Sequence, residues 1–271
     1  MSNGGIGDSS TFSVRKFDIK KIKKDSIIVV IGKRNTGKSF LVRDILYHNS
    51  DIPMGTVISH TDHLNKWYQK FIPPILIHKR YSPEVLDRIL ERQRKANKEE
   101  WQDPSAFLLM DDCLADSDAW KKDENIKEIF FNGRWYKLLF ILSMQSPMGI
   151  PPSFRDNIDY TFILKNNNAS AREKIFKHYA GAFPDKKTFE KAMNVLTDDY
   201  KCIVIDNATH SNKMEDQVFF YKAEERTNFR ICSDAVWRRS NQILSKMEDP
   251  DDADYVKRMR KKNTNKITIK M

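Results

Sequence analysis

Ser26-Ile-Ile-Val-Val-Ile31 followed by Gly32-Lys-Arg-Asn-Thr-Gly-Lys-Ser39 is the stretch that decides the fold. The first run is short, apolar and β-branched without polar alternation, which is typical of a strand buried in a parallel sheet. The second run matches GxxxxGK[ST], and Leu41, Ile45 and Leu46 then recur at helical spacing. A strand, a glycine-rich loop and a helix in this order predict a phosphate-binding P-loop.

The residue types in this loop suit the binding of a nucleoside triphosphate. The glycines allow the backbone N–H groups and the helix start to surround an anion. We expect Lys38 to reach the β- and γ-phosphates and the Ser39 hydroxyl to bind Mg²⁺. The alternative is a glycine turn without a ligand, but the flanking strand and helix favour the P-loop. The expected nucleotide contacts run along the loop and one residue beyond: Gly32, Lys33, Arg34, Asn35, Thr36, Gly37, Lys38, Ser39 and Phe40.

A second apolar run, Ala106 to Met110, ends in two carboxylates, Asp111 and Asp112. A hydrophobic strand that delivers an acid to the sheet edge is the Walker B arrangement. Asp111 would hold the metal through water, and Asp112 would act as base or orient the attacking water. The alternative is an ordinary turn after a strand. A GTPase would carry DxxG here, and this sequence has no glycine at that point.

The next apolar run, Leu138 to Leu142, continues to Gln145. ATPases with a second catalytic carboxylate insert an extra strand between the P-loop strand and the Walker B strand. The carboxyl end of that strand presents a polar sensor to the γ-phosphate, and Gln145 occupies this position. The alternative role for Gln145 is to cap a turn before Pro147.

Arg134 lies at the opposite end of the same predicted strand. A strand of this length spans roughly 20 Å, so Arg134 cannot reach the nucleotide bound by its own subunit. We therefore predict an arginine finger that acts on a neighbouring subunit. The alternatives are a surface arginine that follows a helix end at Gly133, and a finger supplied by Arg155 instead.

The remaining pattern alternates short apolar runs with helical segments. Strands that alternate with helices predict an α/β fold with a mainly parallel sheet covered on both faces. The further strands are expected at Thr56–Ile58, Ile75–Ile77, Tyr160–Leu164, Cys202–Ile205 and Val218–Tyr221. The further helices are expected after Ser82 and over Asn125–Asn132, Ala169–Tyr179, Asp185–Leu196 and Asp234–Met247.

Composition indicates an intracellular protein that binds a polyanion. The three cysteines form no CxxC pair, and no signal peptide or run of 18 apolar residues occurs. The net charge of +10 is concentrated at the two ends, which is typical of tails that bind nucleic acid or other subunits. A solvated tail is the alternative. We expect a flexible basic arm over 1–25, a P-loop ATPase domain over 26–247, and an acidic hinge with a mobile basic tail over 248–271.

Several segments together resemble the poxvirus-type genome-packaging ATPases of nucleocytoplasmic large DNA viruses, a branch of the FtsK–HerA superfamily. They are GKRNTGKS, AFLLMDD, FFNGRWYK, LLFILSMQSPMGIPPSFRDNIDYTFIL and the late FFYKAE. The resemblance covers roughly Ile27 to Trp237. It implies ATP and Mg²⁺ as cofactors, with Lys38 and Ser39 at the nucleotide, Asp111 and Asp112 as Walker B, Gln145 as sensor and Arg134 as finger.

The same resemblance implies partners and a cellular location. It implies a homo-oligomeric ring, pentameric or hexameric, that moves double-stranded DNA into capsids, with a capsid or membrane protein at the packaging portal. It also implies action in the host-cell cytoplasm at the virus factory, and presence in the virion. Two other functions are compatible with the motifs: a different nucleic-acid motor, such as a helicase or recombination ATPase, and a P-loop kinase.

Overall fold

The computed structural model of the chain describes residues 13–113 and 118–247. Within these ranges the strands form one sheet in the order β1-β9-β8-β7-β2-β6-β5-β3-β4. All neighbouring pairs are parallel except β7–β8 and β8–β9, so the predicted mainly parallel sheet is confirmed. The strands are β1 (Arg15–Lys16), β2 (Ile27–Ile31), β3 (Gly55–Ser59), β4 (Ile77–His78), β5 (Ala106–Asp111), β6 (Leu138–Met144), β7 (Tyr160–Ile163), β8 (Lys201–Asp206) and β9 (Val218–Lys222).

Helices α1 to α8 lie between these strands along the chain, as the sequence predicted, and α9 follows β9. In the described ranges none of them has the length and hydrophobicity needed to cross a bilayer. The helices are α1 (Lys38–His48), α2 (Asp62–Asn65), α3 (Pro83–Lys98), α4 (Glu124–Asn132), α5 (Pro152–Arg155), α6 (Ala169–Tyr179), α7 (Lys186–Leu196), α8 (Met214–Gln217) and α9 (Asp234–Met247).

The central strand β2 explains why both faces of the sheet are covered. All five of its residues are at most 4% exposed, and successive side chains of a strand point to opposite faces. Ile27, Val29 and Ile31 belong to a core shared with α3, α4, α6 and α7. Ile28 and Val30 belong to a second core shared with α1. A continuous β-branched run is therefore what this position in the sheet requires.

Strand β6 lies between the P-loop strand β2 and the Walker B strand β5, as predicted. Val29 is level with Leu142 across one edge of β6, and Asp111 is level with Ser143 across the other. The carboxyl ends of the three strands therefore meet at one edge of the sheet. This register brings the P-loop, Asp111–Asp112 and Gln145 into one neighbourhood.

The segment before β2 differs from the predicted flexible arm. Residues 15–16 form β1 beside β9, and the Phe17 N–H donates to the Phe220 carbonyl over 2.8 Å. Phe17, Ile19 and Ile22 are each at most 6% exposed. These three apolar side chains, which are spaced among the six lysines and arginines of residues 13–25, account for the difference. Their burial holds the segment on the sheet while the charges stay at the surface. The predicted acidic hinge and basic tail at 248–271, like residues 1–12, lie outside the described residues.

Candidate nucleotide-binding site

The loop between β2 and α1 has the backbone conformation that surrounds an anion. Gly37, just before α1, has a φ of +97°, which L residues with side chains rarely adopt. A Cβ at Gly32 would lie 2.7 Å from the Thr36 hydroxyl and 3.0 Å from the Leu164 Cβ. Both glycines are therefore required by the local geometry, and the loop opens at the amino end of α1, where backbone N–H groups are unpaired.

Lys38 lies inside this loop. Its side chain is 7% exposed, and its Nζ donates to the carbonyl oxygens of Gly32 over 2.9 Å and Lys33 over 3.2 Å. The same Nζ is 3.6 Å from an Asp112 carboxylate oxygen. The ammonium group is thus held against the loop backbone, on the side that faces Asp112.

Asp112 turns toward the P-loop because its backbone is in the left-handed region. Its φ is +48°, and its N–H donates to the Ser143 carbonyl of β6 over 3.1 Å. The Gln145 amide, one residue beyond β6, donates to an Asp112 carboxylate oxygen over 2.9 Å. Left-handed backbone is uncommon at residues other than glycine, and the residues that adopt it are often found at functional sites. The structure therefore brings Lys38, Asp112 and Gln145 together at the carboxyl edge of three neighbouring strands.

Asp111 has a different environment from its neighbour. Its side chain is 6% exposed, and it accepts a hydrogen bond of 2.8 Å from the Tyr68 hydroxyl. Burial raises the pKa of the Asp111 carboxyl, while the Tyr68 hydrogen bond and the Lys38 ammonium oppose the rise. Burial and the Asp111 charge raise the pKa of Tyr68 well above its usual range, so Tyr68 remains a neutral donor.

Two side chains at this edge carry oxygen atoms of the kind that binds a magnesium ion. Ser39 follows Lys38 in the first turn of α1, and Asp111 is the last residue of β5. Hydroxyl and carboxylate oxygens are the hard ligands that Mg²⁺ takes, usually with several waters and substrate phosphates. Ser39 and Asp111 would hold such an ion, whose chemistry is to neutralise charge on the phosphates.

The two candidate finger arginines pair with residues outside this cluster. Arg134 lies between α4 and β6, at the opposite end of β6 from Gln145. It is 72% exposed and pairs with Asp159, a buried carboxylate that also accepts the Ile27 N–H over 2.8 Å. Arg155 donates to the Ile150 carbonyl over 3.0 Å and lies 2.8 Å from a ring nitrogen of His178. Of the two, Arg134 has the more exposed guanidinium position.

Sequence reasoning missed two residues that shape this site. Tyr68 orients Asp111, and the buried Asp62 in turn accepts the Tyr68 backbone N–H over 2.6 Å. Neither residue belongs to a recognisable motif: Asp62 opens the short helix α2, and Tyr68 follows that helix in the connection from β3 to β4. Their role depends on the contact of Tyr68 with Asp111 at the end of β5. The two residues are far apart in the sequence, so no local pattern reveals this contact.

The different environments of the two carboxylates predict different effects of their removal. Asp112→Asn should still bind ATP with Mg²⁺ but hydrolyse it at least ~100-fold more slowly, as expected when a general base is lost. Asp111→Asn should instead raise the Mg²⁺ concentration needed for binding. Nucleotide titrations at several Mg²⁺ concentrations, with single-turnover hydrolysis, separate the two effects. Identical behaviour of the two variants in both assays would contradict this division of roles.

Comparisons with known proteins match the chain over most of its length. The sequence model of the family described as Poxvirus A32 protein matches residues 14–248. An uncharacterized protein of Acanthamoeba polyphaga mimivirus is 41% identical over 223 residues, which is 79% of this chain and 78% of the relative. An uncharacterized protein of Invertebrate iridescent virus 6 is 36% identical over 235 residues, 81% of this chain and 89% of the relative.

Solved structures with a similar fold include several of one viral protein. The genome packaging NTPase B204 of Sulfolobus turreted icosahedral virus 2, in complex with ATP-gammaS, has a TM-score of 0.52 at 16% identity. That match covers 74% of this chain and 98% of B204. The complex of the same protein with AMP has a TM-score of 0.53 at 14% identity, over 75% of this chain and 100% of B204. At these identities the similarity establishes the fold.

Proposed function

This chain belongs to the poxvirus A32 protein family, and from that premise we propose that it is a viral genome-packaging ATPase. In this proposal it hydrolyses ATP with Mg²⁺ and uses the energy to move double-stranded DNA into a capsid. Support comes from the family and from the fold, which is that of a protein described as a genome packaging NTPase. The proposed site of action is the host-cell cytoplasm, at the virus factory, and the virion.

The observation that carries the proposal is the convergence on Asp112. A buried lysine lies 3.6 Å from its carboxylate on one side, and the Gln145 amide donates to it over 2.9 Å on the other. A P-loop lysine, a second acid and a polar sensor are the groups that bind a γ-phosphate and activate a water beside it. Gln145 follows the inserted strand β6 and contacts Asp112, an arrangement that favours a hydrolase over a simple nucleotide-binding scaffold.

The difference in exposure between the two acids supports the different roles proposed for them. The Asp112 side chain is 28% exposed, whereas Asp111 is a buried residue. An acid that water can reach is suited to accept a proton from the attacking water, and a buried acid is suited to hold a metal. Gln145 keeps the Asp112 carboxylate in position and would respond to the γ-phosphate. Lys38 would exchange its contacts with the loop carbonyls for phosphate oxygens.

The proposal extends to assembly and to DNA. A homo-oligomeric ring would allow the exposed Arg134 of one subunit to act on the nucleotide of its neighbour. The seven cations and no acid of residues 255–271 would supply salt-sensitive affinity for the DNA backbone. A capsid or membrane protein at the packaging portal is the further partner that this function needs.

Stimulation of ATP hydrolysis by DNA tests the function. We expect linear double-stranded DNA to raise the steady-state ATPase rate several-fold, because a motor couples turnover to its track. Asp112→Asn serves as the control, since it should stay at background with and without DNA. A lack of stimulation together with phosphate transfer to a small acceptor would instead indicate a kinase, and strand separation would indicate a helicase.

A further inference from the structure

We infer that Tyr200 is the platform on which the base of the bound nucleotide stacks. This inference rests on the proposed nucleotide binding and adds the subsite for the nucleoside. Tyr200 is 65% exposed, and no sequence motif includes it. Its assignment follows from the order of the strands, from its contact with the P-loop and from its backbone.

The strand order fixes the direction in which a nucleotide lies across the P-loop. Relative to β2, strands β6 and β5 lie on one side and strands β7 and β8 on the other. Asp111, Asp112 and Gln145 all belong to the first side. The γ-phosphate must face those residues for hydrolysis, so the nucleoside extends in the opposite direction, over the ends of β7 and β8.

Tyr200 lies at that place. Strand β8 runs antiparallel to β7, with Ile163 level with Ile203. The residue before β8 is therefore at the carboxyl end of β7, the same edge as the P-loop. A Cβ at Gly37 would lie 3.4 Å from the Tyr200 Cδ1 and 3.9 Å from its Cβ. The tyrosine ring thus borders the loop glycine on the nucleoside side.

The backbone at Tyr200 holds the ring in this exposed position, in a conformation that residues with side chains rarely adopt. Asp199 and Tyr200 both have left-handed backbone, with φ of +54° and +57°, and such conformations are uncommon for residues with side chains. Two ion pairs flank the turn: Lys165 with Asp198 at 2.6 Å, and Lys222 with Asp199 at 2.7 Å. Strained backbone at a ligand site persists where the surrounding structure over-determines it. An exposed aromatic ring in a braced turn is suited to receive a flat ligand.

Stacking is the chemistry such a ring offers to a base. Stacking of a base on an aromatic side chain tolerates every base, because each has a π-face. Tyr200 should therefore strengthen binding of ATP and GTP to similar degrees. Selection between them would require hydrogen bonds from other residues.

The test compares a ligand that has a base with one that lacks it. Calorimetry would measure the Kd of ATP-gammaS and of inorganic tripolyphosphate, each with Mg²⁺, for the wild-type protein, Tyr200→Gly and Tyr200→Phe. Glycine removes the ring and tolerates a φ of +57°, so the fold should be kept. We expect Tyr200→Gly to bind ATP-gammaS roughly 5- to 100-fold more weakly, to bind tripolyphosphate normally, and Tyr200→Phe to match the wild type.

Controls separate this inference from the function on which it rests. Val195 on α7 is 67% exposed, so Val195→Ala removes a similarly exposed apolar side chain and should change neither Kd. Unchanged ATP-gammaS affinity in Tyr200→Gly, or an equal loss for both ligands, would overturn the role of Tyr200. If Lys38→Ala retained affinity for both ligands, the proposed nucleotide site itself would be wrong.

Discussion

Lys38→Ala is expected to abolish tight ATP binding. The substitution removes the cation that the P-loop directs toward the β- and γ-phosphates. In the wild-type chain the Lys38 ammonium also bridges two loop carbonyls and faces Asp112 at 3.6 Å. Without it, phosphate oxygens would approach Asp112 with no intervening positive charge. Equilibrium titration with a fluorescent ATP analogue and Mg²⁺ measures the loss.

A matched lysine separates this local effect from a change in net charge. Lys95 on α3 lies at the surface, 63% exposed and 3.8 Å from Glu99, so Lys95→Ala should bind ATP as the wild type does. Thermal unfolding without nucleotide should be recorded for both variants to exclude a folding defect. Micromolar-range ATP affinity in a folded Lys38→Ala protein would rule out the P-loop assignment.

Arg134→Ala is expected to lose ATPase activity that a second inactive variant restores. Arg134 is separated from Gln145 by the length of β6, about 20 Å or more, so it can act only on the site of another subunit. An arginine finger is worth roughly 10³- to 10⁵-fold in rate. Arg134→Ala keeps an intact nucleotide site, and Lys38→Ala keeps an intact finger. Mixed under conditions that allow subunit exchange, the two proteins should regain part of the activity that each lacks.

The ion pair of Arg134 with Asp159 requires a control for a purely structural role. Asp159→Asn breaks the ion pair, but an amide oxygen can still accept the Ile27 N–H. The Asp159→Asn substitution leaves the Arg134 guanidinium in place. If Arg134 is an arginine finger, the variant should therefore keep most of its ATPase activity. Loss of activity in both Asp159→Asn and Arg134→Ala would indicate that the pair supports the fold instead.

The activity of Arg134→Ala, alone and in the mixture, can also contradict the hypothesis that Arg134 is an arginine finger. Normal hydrolysis by Arg134→Ala would move the search to Arg155, which contacts Ile150 and His178 on the same chain. An inactive Arg134→Ala that co-assembles with Lys38→Ala and is never rescued would exclude action across a subunit interface.

Local sequence determined most of the fold and the core of the site. The β-branched run before Gly32, the loop glycines and the acids after Met110 are patterns of neighbouring residues, and they predicted β2, the P-loop and the end of β5. Helices α6 and α9 begin and end where their apolar spacing and polar flanks predicted. These signals are local for a physical reason. Burial of one face requires apolar residues at a regular spacing, and the unpaired backbone groups at a helix end require polar partners within a few residues. The position of β6 came from the general architecture of such ATPases.

Tertiary structure alone decided the contacts that join distant segments. The burial of Phe17 on β9, the hydrogen bond from Tyr68 to Asp111 and the pairing of Arg134 with Asp159 connect residues far apart in the chain. The position of Tyr200 beside Gly37 is of the same kind. Each of these contacts depends on how two strands or loops meet across the sheet. No local sequence pattern predicts these contacts, because they depend on the order and register of the strands, which form only when the whole chain packs.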